Sequence, residues 1–123
     1  MLLVDDDPVI VRLLEVNFRL EGFEVDTAAS GIEAVEKARA DRPDLVLLDV
    51  MMPGVDGWEA CRRLREAPGL ADVPIVFLSA RAQENDVARG YALGVVGYVT
   101  KPFDPQELIE TVRAHLAVEE GRS

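Results

Sequence analysis

In this chain of 123 residues, four short apolar runs each end on side chains that can do chemistry. Asp5 and Asp6 follow Leu2-Leu3-Val4, Asp49 follows Leu45-Val46-Leu47-Leu48, Ser79 follows Ile75-Val76-Phe77-Leu78, and Lys101 follows Tyr98-Val99-Thr100. If the runs are neighbouring strands, their ends bring together three carboxylates, a hydroxyl and an ammonium. Three ionised carboxylates roughly 4 Å apart repel by about 4 kcal/mol per pair at an effective dielectric of 20. Summed, that rivals the whole stability of a small domain, about 5 to 15 kcal/mol. Such a cluster needs a cation, and a divalent ion together with Lys101 balances three negative charges. An all-oxygen site that also retains water suits Mg²⁺ better than zinc, which prefers His and Cys. With one His and one Cys in the chain, zinc has no site.

A carboxylate beside Mg²⁺ can act as a nucleophile toward phosphorus and form an acyl phosphate. Phosphoryl transfer requires neutralisation of charge on three equatorial oxygens. The ion can take one, the Lys101 ammonium another, and the Ser79 hydroxyl with nearby backbone amides the third. Asp49 is the best nucleophile because it stands alone at the end of a central run, whereas Asp5 and Asp6 read as a metal-holding pair. Each residue also has an ordinary reading. Asp at a strand end is commonly a cap or turn former, which suits Asp7 and Asp104. Ser79 alone reads as a turn residue and Lys101 alone as surface. Their coincidence at four strand ends favours the chemical reading.

The elements that position them are short strands at residues 2–4, 24–28, 45–48, 75–78 and 98–100, alternating with longer segments of helical spacing. That alternation predicts right-handed βαβ crossovers and a parallel sheet covered on both faces. Ligands bind at the carboxyl edge of such a sheet. Asp7-Pro8 caps a first helix whose inward face is expected to be Ile10, Leu13, Leu14 and Leu20, ending before Gly22. Ser30 with Glu33 forms a capping box for a second helix carrying Ala34, Val35 and Ala38 and stopping before Pro43. The third spans about 58–66 and precedes Pro68-Gly69. The fourth, about 85–93, contains Gly90 and ends at Gly94, so it is intrinsically weak. Asp104-Pro105 with Glu107 opens the last, with Leu108, Ile109, Val112 and Leu116 inward.

At 49% hydrophobic composition the chain suits one compact domain, 1–118, with a polar tail or linker start at 119–123 expected to fray. A lone cysteine, Cys61, excludes a disulfide framework and points to a reducing, cytoplasmic location. Three apolar residues before Asp5 are too few for a signal peptide or a span, so no membrane association is expected. Thirteen basic against 23 acidic residues, a net charge of −10, argue against direct nucleic-acid contact by this domain. His115, near the apolar face of the last helix, is not expected to be a phosphohistidine or a ligand, and Cys61 and Trp58 read as helix packing residues.

With these residues in place, the chain resembles the response regulator receiver family, the phosphorylatable part of two-component signalling. The resemblance rests on Val4-Asp5-Asp6-Asp7, on Leu47-Leu48-Asp49-Val50-Met51-Met52-Pro53-Gly54, on Leu78-Ser79-Ala80, and on Gly97-Tyr98-Val99-Thr100-Lys101-Pro102-Phe103. It implies a CheY-like, flavodoxin-like α/β fold, a doubly wound five-stranded parallel sheet in the order 2-1-3-4-5. It also implies that Asp49 accepts a phosphoryl group from the phosphohistidine of a sensor histidine kinase or phosphotransfer protein. Mg²⁺ would be held by Asp6, Asp49 and the backbone carbonyl of Met51, with Asp5 ligating directly or through water. Ser79 and Lys101 would hold the phosphoryl group, and the Lys101-Pro102 bond would be cis.

The family's switch pairs Ser79 with Tyr98, which turns inward as the hydroxyl moves toward the phosphate. The face made by the fourth helix, fifth strand and fifth helix then changes its affinity for an effector or fused output domain, and activation can bring homodimerisation. Met51 and Arg81, two beyond Asp49 and Ser79, fall where this family tunes autodephosphorylation. The first strand lacks the few residues that usually precede it, so a weaker sheet beside Asp5 is expected. Such a domain catalyses its own phosphorylation and dephosphorylation and is not a conventional enzyme. Two other readings are a phosphorylation-independent docking module on the same fold and a Mg²⁺-dependent phosphohydrolase. The complete acidic set with Ser79 and Lys101 argues against the first. Met51, where such hydrolases commonly place a second Asp, and the lack of a cap insertion argue against the second.

Overall fold

A computed structural model describes residues 1–80 and 83–120. Among them, strands β1 (Leu2–Val4), β2 (Asp26–Ala28), β3 (Val46–Asp49), β4 (Ile75–Ser79) and β5 (Gly97–Thr100) alternate with helices α1 (Pro8–Leu20), α2 (Gly31–Ala40), α3 (Gly57–Glu66), α4 (Glu84–Ala92) and α5 (Pro105–Glu120). All strand pairs are parallel and the sheet order is β2-β1-β3-β4-β5, as the resemblance implied. The expected polar tail at 119–123 falls partly beyond these residues, and 121–123 lie outside the description.

Because side chains alternate along a strand, each central strand feeds two cores. Val4, Val46, Leu48, Ile75 and Phe77 pack toward Ala34 and Ala38 of α2 and Ala60, Cys61 and Leu64 of α3. Leu3, Leu47, Val76 and Leu78 pack toward Leu14 and Phe18 of α1 and Leu108, Ile109 and Val112 of α5. This explains why β3 and β4 read as unbroken apolar runs: both of their faces are buried. Despite its short start β1 is paired on both sides, Leu2 opposite Asp26 and Val46, and the Asp5 N–H donates to Ala28 O (3.2 Å).

The caps follow from the residue types that open each helix. Asp7 Oδ1 accepts from the Val9 N–H at 2.9 Å with Pro8 in the first turn. Ser30 Oγ accepts from the Glu33 N–H at 3.2 Å, while the Glu33 carboxylate reaches back to the Ala29 N–H at 3.4 Å, one residue beyond the usual box. Asp104 Oδ1 accepts from the Gln106 N–H at 2.9 Å. In α4, Gln83 caps without a side-chain hydrogen bond, and the helix ends through Gly94 at φ +86°.

The inward face of α1 needs correcting. Leu14 and Phe18 are buried with Ile10 and Val11 packed beside them, whereas Leu13 is 43% and Leu20 81% exposed. The helix carries two apolar stripes, Ile10-Leu14-Phe18 at spacings of four and Val9-Leu13-Val16-Leu20. Only one of them can face a sheet. The stripe containing the aromatic residue does so, with Phe18 meeting Phe23 edge to face at 5.1 Å.

Candidate functional site

Parallel order places the carboxyl ends of β1, β3, β4 and β5 along one edge. Asp49 closes β3 one position beyond the Leu48 that pairs with Val4, and Ser79 pairs in register with Thr100, just before Lys101. Residues separated by most of the chain therefore meet. Lys101 Nζ donates to Asp5 Oδ2 at 2.9 Å and lies 3.4 Å from Asp49 Oδ1, while its backbone N–H donates to Ser79 O at 2.8 Å. The peptide bond from Lys101 to Pro102 is cis.

Burial sorts the carboxylates. Asp5 and Asp49 are only 1% and 2% exposed, Ser79 is buried, and Asp6 is open to solvent. The Asp7 N–H donates to Asp5 Oδ1 at 3.0 Å and the Met51 N–H to Asp49 Oδ1 at 3.2 Å. Even so, burial first and the neighbouring Asp5 charge second push the Asp49 carboxyl up to about 6, against the opposing pull of Lys101 and the Met51 amide. Burial pulls the Lys101 ammonium down, but its contacts with Asp5 and Asp49 outweigh that and leave it above its ordinary value.

Asp5, Asp6 and Asp49 each turn one carboxylate oxygen to a common point, all within 4.8 Å of one another. Three carboxylates against one ammonium leave two negative charges, which one divalent cation balances. The donors are oxygen throughout, so a hard cation of the Mg²⁺ type fits this set. Met51 is 52% exposed, and its main chain meets the site through the N–H on Asp49 Oδ1.

One residue that holds the site escaped the sequence reading. At Gly57 an added Cβ would overlap the Asp49 carbonyl oxygen and come within 2.5 Å of Val50 Cα, and the Gly57 N–H donates to Val50 O at 2.9 Å. The start of α3 is thus pressed against the backbone of the expected acceptor, an approach only glycine allows. The signal was the Asp56-Gly57 pair, with Asp56 Oδ1 accepting from the Glu59 N–H at 2.9 Å as the α3 cap.

Tyr98 is half-buried on β5, its ring edge-on to Phe77 at 6.1 Å. Cys61 and Trp58 are buried in the α3 core as expected, and burial pushes the Cys61 thiol up. His115, partly buried on α5, would have its Nε2 3.2 Å from a Cβ placed at Gly97. Arg81 lies outside the described residues.

The family model for the response regulator receiver domain matches residues 1–113. Over 113 residues the chain is 46% identical to the phosphate regulon transcriptional regulatory protein PhoB of Rhizobium meliloti, covering 92% of this chain and 50% of that protein. Its structure is similar to chemotaxis protein CheY4 of Vibrio cholerae, with a TM-score of 0.88, 34% identity and coverage of 92% of this chain and 94% of that one. It is also similar to the receiver domain of sensor histidine kinase PA1611 from Pseudomonas aeruginosa, which was solved with a magnesium ion coordinated in its active-site cleft (TM-score 0.86, 34% identity, 94% and 95% coverage). The chain spans about half the length of the curated relatives it matches.

Proposed function

The chain belongs to the response regulator receiver family of two-component systems, and on that premise we propose that its 1–118 segment takes a phosphoryl group from a phosphohistidine onto Asp49. The observation that carries this reading is the burial of Asp49 between Asp5 and Lys101 at the carboxyl edge of the sheet. An ionised Asp49 oxygen attacks phosphorus; the new O–P bond forms as the donor's N–P bond breaks. The imidazole leaves with that electron pair and takes up a proton. Hydrolysis runs through attack of water on phosphorus, which releases inorganic phosphate and restores the Asp49 carboxylate. Asp5, Asp6, Asp49 and the Met51 carbonyl would hold Mg²⁺, which when bound draws charge from a phosphoryl oxygen. Lys101 supplies a second positive charge, and the Ser79 hydroxyl a hydrogen bond.

The donor is a sensor histidine kinase or phosphotransfer protein, and the setting is cytoplasmic. Among the described residues no helix is long and apolar enough to cross a membrane. Movement of Ser79 toward the phosphoryl group draws Tyr98 inward and changes the face of α4, β5 and α5 for an effector, a fused output domain or a second copy. The domain itself makes no nucleic-acid contact.

Intact-mass spectrometry after incubation with acetyl phosphate, with and without Mg²⁺, tests the chemistry. A single phosphoryl adduct that requires Mg²⁺ and is lost in Asp49→Asn is expected. Folded, Mg²⁺-binding protein that forms no adduct and does not bind beryllofluoride would instead be a docking module.

A further inference from the structure

Beneath α4 lies a row of three aromatic rings contributed by three elements. Trp58 of α3 meets Phe77 of β4 edge to face at 5.2 Å, and Phe77 meets Tyr98 of β5 at 6.1 Å. The fourth helix is laid on this row at two adjacent residues. A Cβ at Gly90 would come within 3.0 Å of the Tyr98 ring and 3.1 Å of the Phe77 ring, so the helix backbone rests directly on both. Arg89 places its guanidinium carbon 4.3 Å from the centroid of the Trp58 ring. Trp58 is only 6% exposed, whereas Arg89 is exposed.

The carboxyl end of α4 is tied to α3. At the carboxyl end, Arg65 of α3 donates to Gly94 O at 2.9 Å, and through its other nitrogen to Ala71 O and Val73 O at 3.1 and 2.6 Å. The Cys61 thiol lies 3.9 Å from Leu93 O. At the amino end, Gln83 offers no side-chain cap. With its carboxyl end tied in this way, α4 moves most easily by swinging about that end. Arg89 on Trp58 and Gly90 on Tyr98 oppose that swing.

Arg89 also borders a cleft of about 410 Å³ lined by Trp58 and by residues of the loop that follows Asp49, among them Val50, Met51 and Asp56. Arg89 thus lies beside the loop that follows Asp49 as well as on α4.

We propose that the Arg89–Trp58 contact is a latch that holds α4 in its resting position and is released when Tyr98 turns inward. This rests on the phosphorylation reading above and adds a residue to it. Inward rotation of Tyr98 removes the surface on which Gly90 sits. The amino-terminal half of α4 then shifts, and the guanidinium leaves the ring. Loss of a cation–π contact at an exposed arginine biases a two-state equilibrium by about two- to fivefold. The latch thus opposes activation by that factor, and an activating ligand binds correspondingly tighter without it.

Trp58 is the sole tryptophan of the chain, so its emission reads the contact directly. Wild type and the Arg89→Met and Arg89→Lys variants are each titrated with beryllofluoride in Mg²⁺, with affinity from calorimetry and release from Trp58 emission. Phosphoryl adducts are counted in parallel by intact mass. The latch predicts that beryllofluoride shifts wild-type emission toward that of ligand-free Arg89→Met and that Arg89→Met emission changes little. It further predicts that Arg89→Met binds beryllofluoride about two- to fivefold tighter, with Arg89→Lys in between. Adduct formation with unchanged wild-type emission, or equal affinities in wild type and Arg89→Met, overturns the latch and leaves the receiver reading standing. Absence of any adduct or beryllofluoride binding in wild type overturns both.

Discussion

Replacing Asp49 with asparagine should stabilise the metal-free domain, although it destroys the proposed acceptor. The carboxyl is pushed up to about 6 in the fold from an ordinary value of 3.8, by burial and by Asp5, net of the attraction of Lys101. A carboxyl whose folded value lies above its unfolded value binds a proton in the native state that the unfolded chain has already released. Wild-type stability therefore falls as pH rises from about 4 to about 6 and stays reduced above that range. Over a difference of about two pH units the penalty is roughly 3 kcal/mol. The asparagine of Asp49→Asn keeps the size and the acceptor oxygen for the Met51 N–H but carries no charge, so it escapes the penalty. For a domain of this size, about 2–3 kcal/mol moves Tm upward by on the order of 10 °C. Thermal melts followed by circular dichroism in EDTA should show that gain at pH 7.5 and about a third of it at pH 4.5. Millimolar Mg²⁺ should raise wild type more than the variant, because a ligand that binds only the native state stabilises it. A variant no more stable than wild type at pH 7.5 in EDTA, or a gain independent of pH, would refute the electrostatic account of the cluster.

Gly57→Ala should cost about 1–3 kcal/mol in chemical denaturation and slow acetyl-phosphate adduct formation, because the new methyl group meets the Asp49 carbonyl and Val50 Cα. Phe18→Ala should cost about 3–5 kcal/mol, whereas Leu20→Lys, at a site 81% exposed, should change stability by no more than about 0.5 kcal/mol. Equal costs in urea titrations would reverse the assignment of the two α1 stripes. Arg65→Met should lose about 1–3 kcal/mol because the carbonyls of Ala71, Val73 and Gly94 lose their shared donor. Hydrogen exchange should quicken first at the carboxyl end of α4, and exchange unchanged there would refute the pinning.

Much of the fold could be read along the chain because its cues are local. Asp7-Pro8, Ser30 with Glu33 and Asp104-Pro105 open helices through contacts a few residues long, and the unbroken Leu-Val-Leu-Leu and Ile-Val-Phe-Leu runs are what burial on both faces demands. Helix α1 shows where locality ends. Two apolar stripes of nearly equal quality run along it, and spacing alone cannot choose between them. The choice belongs to Phe18, whose ring fills the space against Phe23 and α5, a partner that sequence distance hides.

The site divides in the same way. Its membership was legible, since Asp5, Asp49, Ser79 and Lys101 each end an apolar run, and parallel strands bring such ends together. Its internal balance was not. Charge counting treats Lys101 as a partner for the whole cluster, but the ammonium lies nearer Asp5, at 2.9 Å, than Asp49, at 3.4 Å. Asp49, whose carboxyl is pushed up by burial first and by the Asp5 charge second, is thereby left with the weaker opposing pull of Lys101. That imbalance is a physical reason for the cluster to favour a divalent cation, because the charge it leaves uncompensated sits on Asp49, the proposed acceptor. The glycine pressed against the Asp49 backbone left only the Asp56-Gly57 pair as a trace, and the arginine resting on Trp58 left none. One is a helix start pressed on a strand-end backbone and the other a guanidinium on a ring, and such contacts come into view only once the strands and helices have been set beside each other.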